Sequence, residues 1–211
     1  PKWVQQMADS AEVLNGITRA PDVAYTALTP NLRGLEAALA AKADGVAIFA
    51  SASEGFSRAN LNCSIVESYE RFAPVALAAR RAGVPLRGYV SMVVECPFDG
   101  PTDPDQVAQV VEALRAMGCD EVSLGDTVGR GRPEAVDAML ARVLDVAPAA
   151  ALAGHFHDTE GRALENVEVS LARGLRVFDA CAGGLGGCPY APGAAGNVAT
   201  EAVAARVHAL G

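Results

Sequence analysis

The sequence predicts an α/β protein: a (β/α)8, or TIM, barrel represented by about six of its eight strand–helix units, its first two strands missing. Three observations lead there. Short apolar runs alternate with segments of helical period, six times in 211 residues. That alternation is the pattern of parallel strands joined by right-handed crossovers. Polar residues gather at the C-terminal ends of the runs, at Asn31, Ser51, Asp126, His155, His157 and Asp158. In a barrel that end carries the active site. No GxGxxG follows a strand, which argues against a doubly wound sheet built for a dinucleotide. A full barrel takes roughly 250 residues. The opening "PKWVQQMADS" reads as the middle of a loop, so the missing units are expected ahead of Pro1. The whole of 1–211 is read as one partial barrel domain.

The strand candidates are 24–31, 45–51, 86–92, 121–127, 151–158 and 176–183. Helices are expected over 32–43, 65–82, 104–117, 133–146, 160–173 and 197–210. The segment 104–117 carries Val107, Val110, Val111, Leu114 and Met117 on one stripe, the i, i+3, i+4, i+7 spacing of a core-facing helix. Asp103 is placed to cap it, Pro104 occupies its first position and Gly118 ends it, each where its backbone preference is best used. The 133–146 segment opens on Pro133 and repeats the stripe with Val136, Met139, Leu140 and Val143. Leu164, Val167 and Leu171 mark 160–173, which stops at Gly174.

Composition narrows the function. The chain is 51% hydrophobic and 20% charged with a net charge of −8, ordinary values for a globular protein. A nucleic-acid partner is not expected, because no basic face is visible. No membrane association is expected either, since no apolar run approaches the ~18 residues of a span. Five cysteines, an odd number with no CxxC pair, argue against a secreted disulfide framework and for a reducing, cytoplasmic location. A targeting peptide on a missing N-terminus stays open. Cys63 and Cys96 are read as structural.

The stretch "GHFHDTEGR", 154–162, carries the sharpest chemical signal. Side chains two apart on a strand point the same way, so His155 and His157 both reach one barrel mouth. Two convergent imidazoles make half of a divalent-metal site. The alternative is a pair of half-buried histidines bonded to neighbours. Asp158 is a candidate to orient one ring from behind, as metal-bound imidazoles usually require. The stretch "GGLGGCPYAPGAAGN", 183–197, has six glycines around Cys188. Glycine at that density lets backbone approach a ligand, and a thiol there can give or take a proton. Gly187, next to Cys188, is a candidate substrate contact. Asn197 offers an amide oxygen to a metal or a cap to the last helix, and chemistry alone leaves the two even. Glu201 is placed as a further outer-sphere residue. In "SLGDTVGRGRP", 123–133, Asp126 and Thr127 are read as binding substrate or tying the rim, and Arg130 and Arg132 as solvated charge. Arg87 lies within a strand, where it needs an anionic partner; it is a candidate for substrate binding, with a salt bridge as the other reading.

With "HFHDT", "SLGDTVG" and "GGLGGCPYAPGAAGNVATE" in one order, the sequence resembles the hydroxymethylglutaryl-CoA lyase family. "PKWVQQM", "LTPNLRGLEAA", "NCSIVESYERF" and "RGYVS" extend the likeness over the whole chain. The resemblance implies cleavage of 3-hydroxy-3-methylglutaryl-CoA to acetyl-CoA and acetoacetate, a step of leucine degradation and ketone-body formation. It implies Mg²⁺ or Mn²⁺ held by His155, His157, Asn197 and an aspartate of the first strand. It also implies catalytic roles for Cys188 and His155, and an acyl-CoA as the small-molecule partner, with a homodimer left open. The family's Arg-Asp pair and second-strand glutamate have no counterpart in this chain, which alone is expected to be weakly active or inactive. The alternatives are a lyase for a longer branched hydroxyacyl-CoA, a Claisen-type synthase, or an inactive barrel fragment.

Overall fold

The computed structural model describes residues 8–187 and 196–211. The chain runs α1 (Ser10–Gly16), β1 (Thr26–Leu28), α2 (Leu32–Ala40), β2 (Gly45–Ser51), α3 (Glu54–Leu61), α4 (Ile65–Ala82) and β3 (Leu86–Ser91). A short antiparallel ribbon follows, β4 (Glu95–Cys96) with β5 (Gly100–Pro101). Then come α5 (Pro104–Met117), β6 (Glu121–Asp126), α6 (Pro133–Val143), β7 (Leu152–Phe156), α7 (Ala163–Ala172), β8 (Val177–Asp179) and α8 (Thr200–Leu210). Six strands form one parallel sheet in the order β1-β2-β3-β6-β7-β8. It is the curled, incomplete TIM barrel that the alternating pattern predicts, with helices on its outer side.

The two faces of the sheet differ in chemistry. Along β3, Leu86, Gly88 and Val90 are buried while Arg87, Tyr89 and Ser91 are half-exposed. The first set joins the helix-facing core with Val122 and Leu124 of β6 and Leu152 and Phe156 of β7. The stripes of α5 and α6 close over it: Val107, Val110, Val111, Leu114, Val136, Met139, Leu140 and Val143 are all essentially inaccessible. Apolar burial of this kind is the main favourable contribution to folding. The concave face keeps the polar alternates.

Several expected bounds shift for local reasons. The last turn of 133–146 tightens, with Asp145 N–H bonding Arg142 C=O, so α6 closes at Val143. The strand expected over 151–158 starts one residue later, after a 3-10 turn at Ala149–Ala151. α7 begins at Ala163, where Asp158 Oδ1 accepts from Ala163 N–H at 3.0 Å. α8 begins at Thr200 because Asn197 and Ala199 are engaged in β-bridges. Two helices, α1 and α3, and the β4–β5 ribbon were not anticipated. Among the described residues, no helix is long and apolar enough to cross a membrane.

Candidate active site

His155 is the penultimate residue of β7, in register with Asp179 of β8 and Gly125 of β6. His157 follows two residues on, and the period of two turns both rings to the concave side. Their Nε2 atoms face each other at 3.3 Å. Burial, and then the neighbouring His155 ring, push the His157 imidazole down to about 4. It is therefore neutral near pH 7, as a metal-binding imidazole must be.

Asn197 lies beside this pair. It forms an isolated antiparallel bridge with His157, flanked by Asp158 N–H to Gly196 C=O at 3.0 Å and Val198 N–H to Phe156 C=O at 3.0 Å. Directly opposed residues of an antiparallel pair share a face. The Asn197 amide nitrogen donates to Leu185 C=O at 3.0 Å, and among the described residues no hydrogen bond engages its oxygen. The helix-cap alternative is removed, because the cap residue of α8 is Ala199.

A carboxylate does stand behind His155, but it is Asp179 and not Asp158. Asp179 Oδ2 lies 3.1 Å from His155 Nδ1 and accepts from Ser123 Oγ at 2.7 Å. Its Oδ1 lies 2.8 Å from Arg87 Nη1. Burial works against the Asp179 charge, yet the hydrogen bonds from His155 and Ser123 and the Arg87 charge outweigh it and lower its pKa. Asp158 instead holds the start of α7. Asp179 was legible only as a residue of a strand candidate; no local motif marks it.

The remaining candidates sort by their contacts. Arg87 makes the salt bridge: Nε lies 2.8 Å from Glu121 Oε1, and Nη1 also donates to Tyr89 Oη at 3.0 Å, while Nη2 is buried with no hydrogen-bond partner among the described residues. Tyr89 sets its ring edge-on to His155, centroids 6.3 Å apart. Asp126 faces the helices, fully buried, and accepts from Gly131 N–H at 2.8 Å and Arg130 N–H at 3.3 Å. Thr127 Oγ1 accepts from Met92 N–H at 3.0 Å. Both residues tie the rim, the other reading given to them. Arg130 pairs only with Glu95 at an exposed site. Glu201, expected behind the metal ligands, accepts from Gly183 N–H at 3.0 Å. It braces the stem of the glycine-rich loop. Gly187 is exposed, and among the described residues a Cβ there would meet nothing. Cys188 lies outside the described residues.

These residues fit a divalent cation. The 3.3 Å between the two Nε2 atoms is close to the ~3 Å that separates neighbouring ligands of an octahedral ion with bonds of ~2.1 Å. The Nδ1 of His155 is engaged from behind, as such rings require. Among the described residues no group of three His, Cys, Asp or Glu side chains is disposed to hold a metal. Beside the pair, the Asn197 amide offers an oxygen, the donor type suited to a hard ion.

Comparison with known proteins identifies the family. The family model described as HMGL-like matches residues 2–211. A Pseudomonas aeruginosa protein named 3-hydroxy-3-isohexenylglutaryl-CoA/hydroxymethylglutaryl-CoA lyase is 57% identical over 203 residues, covering 96% of this chain and 68% of its own. The crystal structure of the HMG-CoA lyase from Brucella melitensis superposes with a TM-score of 0.97 at 62% identity, over 100% of this chain and 74% of that one. An HMG-CoA lyase from Acinetobacter baumannii, solved with coenzyme A and 3-methylmalate, gives 0.92 at 35% identity, over 100% of this chain and 68% of that one. The chain spans 68 to 74% of the length of these three proteins. With a family model matched nearly end to end and the same barrel geometry in its relatives, this chain belongs to the HMGL-like family.

Proposed function

We propose that the site belongs to a lyase that cleaves 3-hydroxy-3-methylglutaryl-CoA into acetyl-CoA and acetoacetate. The observation that carries this reading is the His155–His157 pair converging beside Asn197 at the C-terminal ends of the strands. The relatives named as lyases of this substrate support it, and the neighbour holding coenzyme A supports an acyl-CoA ligand. The family is generally dependent on a divalent metal, and Mg²⁺ or Mn²⁺ suits the mixed nitrogen–oxygen donor set.

The reaction breaks the bond between a tertiary alcohol carbon and the carbon α to a thioester. The alcohol proton leaves to a base, the alcohol oxygen becomes the ketone of acetoacetate, and the bonding pair moves to the thioester enolate. A proton at that carbon completes acetyl-CoA. A cation held by His155, His157 and Asn197 would supply Lewis-acid polarisation of the substrate's oxygens. His155 and His157 offer their facing Nε2 atoms, and Asn197, oriented through Leu185, offers its oxygen. Cys188 is assigned as proton donor to the enolate carbon; among the described residues flanking its segment, Gly183 N–H donates to Glu201 and Cys181 N–H to Val198 C=O at 3.1 Å.

Release of acetoacetate from the substrate under Mg²⁺ or Mn²⁺ tests the reading. His155→Ala and His157→Ala are each expected to lower whatever rate the protein shows at least ~100-fold. Rates that survive both changes would overturn it. A longer branched 3-hydroxyacyl-CoA is the second reading, favoured by the Pseudomonas aeruginosa relative whose name includes the isohexenyl substrate; comparing kcat/KM for the two thioesters separates them. A cytoplasmic location is proposed from the free Cys63, Cys96, Cys119 and Cys181.

A further inference from the structure

We propose that Asp179 is the positioning residue of the histidine pair, and that Arg87 is the strut that holds Asp179 in place. The inference rests on the reading of His155 as a metal ligand, and it adds the device that aims the ring. Each carboxylate oxygen has its own partners. Oδ1 meets Arg87 Nη1 at 2.8 Å, while Oδ2 meets Ser123 Oγ at 2.7 Å and His155 Nδ1 at 3.1 Å.

The Arg87–Asp179 contact is not one between neighbours. β3 and β8 are separated in the sheet by β6 and β7. On a flat sheet, three strand spacings of ~4.8 Å would part them by roughly 14 Å. The pair closes at 2.8 Å because the sheet curls and the arginine reaches across its concave side. Arg87 is itself steadied by Glu121 at 2.8 Å and by Tyr89, whose ring stands edge-on to His155. A chain of contacts among five side chains from β3, β6 and β8 thus ends, through Asp179, at one imidazole nitrogen.

The consequence is a defined tautomer. A carboxylate only accepts hydrogen bonds, so His155 donates through Nδ1–H, and the Nε2 lone pair is left facing His157. In an Asp179→Asn protein, the amide oxygen keeps the Arg87 contact and the amide NH2 faces Nδ1. The ring must then accept at Nδ1 and carry its proton on Nε2, where it blocks a ligand. Arg87→Gln removes the charge that sets which oxygen faces which partner.

The test is ¹⁵N NMR of histidine-labelled metal-free full chain, together with Mn²⁺ titration. The chain has only three histidines, His155, His157 and His208, so single His→Ala variants assign the spectrum. The unsubstituted protein is expected to show His155 as the Nδ1–H form. Asp179→Asn is expected to move it towards Nε2–H and to weaken Mn²⁺ binding 10- to 100-fold, and Arg87→Gln to do the same to a smaller extent. Arg87→Lys, which keeps the charge, is expected to preserve the tautomer, as is Ser123→Ala. An Asp179→Asn protein with His155 still Nδ1–H and unchanged Mn²⁺ affinity overturns the proposal. If Asp179→Asn does not fold, as judged by circular dichroism, Arg87→Gln decides: an unchanged tautomer and affinity there overturn it equally. Equal Mn²⁺ binding by the unsubstituted and His155→Ala proteins would instead sink the metal reading, and the tautomer would still decide the role of Asp179.

Discussion

His157 is neutral for a reason that has a measurable consequence. Its ordinary value of 6.5 falls to about 4 on folding, through burial and the adjacent His155 ring. The unfolded chain therefore binds a proton more readily between those values. The corresponding stability is fully present above pH 6.5, is lost as pH falls towards 4 and is on the order of 3 kcal/mol. Urea unfolding of the metal-free protein across that range is expected to show the loss, and His157→Gln to flatten it. The HxH spacing itself was legible, because two side chains two apart on a strand share a face whatever the rest of the fold does. Gly186 is less visible in sequence and equally specific. Its φ is +98°, and a Cβ there would sit 2.6 Å from Asn197 Nδ2. Gly186→Ala is expected to displace that amide and weaken Mn²⁺ binding ~10-fold or more, with the circular dichroism spectrum unchanged. Normal affinity would show that the amide does not bear on the metal.

Elements whose signals are local came through with their bounds intact. β2 over 45–51, α4 over 65–82 and α5 over 104–117 agree residue for residue with the sequence reading. α5 is capped by the Asp103 side chain on Asp105 N–H and ends at Gly118 with φ +101°, both readable from residue type. α4 carries a full capping box: Ser64 Oγ accepts from Glu67 N–H at 3.1 Å, and Glu67 accepts from Ser64 N–H at 2.7 Å. Ser64→Ala is expected to cost about 1 kcal/mol, read as a lower urea midpoint with an unchanged slope. A shift below the error of the midpoint would mean that packing of Phe72, Val75 and Ala79 holds the helix without its cap. The elements that were missed lack such signals. α1 buries no residue, so it has no apolar stripe to announce it. In α3, Gly55 interrupts the period, and the glycine is there because Asp99 and Phe98 pack within 3 Å of where a Cβ would be. That reason lies in a loop 43 residues further along and cannot be seen locally.

At the scale of the whole molecule, a metal bound at the proposed site would add to the stability of the fold. A ligand that binds only the folded chain stabilises it by RT ln(1 + [L]/Kd), about 2.7 kcal/mol at one hundred times Kd. For a chain of this size that is a rise of several degrees in Tm. Mn²⁺ is expected to raise Tm, EDTA to reverse the rise, and His155→Ala to abolish it; a rise that persists in His155→Ala would place the ion elsewhere. The sequence by itself determined the alternating architecture, the face on which both histidines lie, the helix boundaries set by caps and glycines, and the family. Those follow from periods of 2 and 3.6 and from backbone preferences that each residue carries with it. Only the tertiary structure decided which carboxylate serves His155, that Arg87 is bound to Asp179 and Glu121, that Asp126 and Thr127 tie the rim, and that Asn197 does not cap α8. Each of these depends on strand register and on the curl of the sheet, which bring together residues from separate strands. No local pattern encodes that distance.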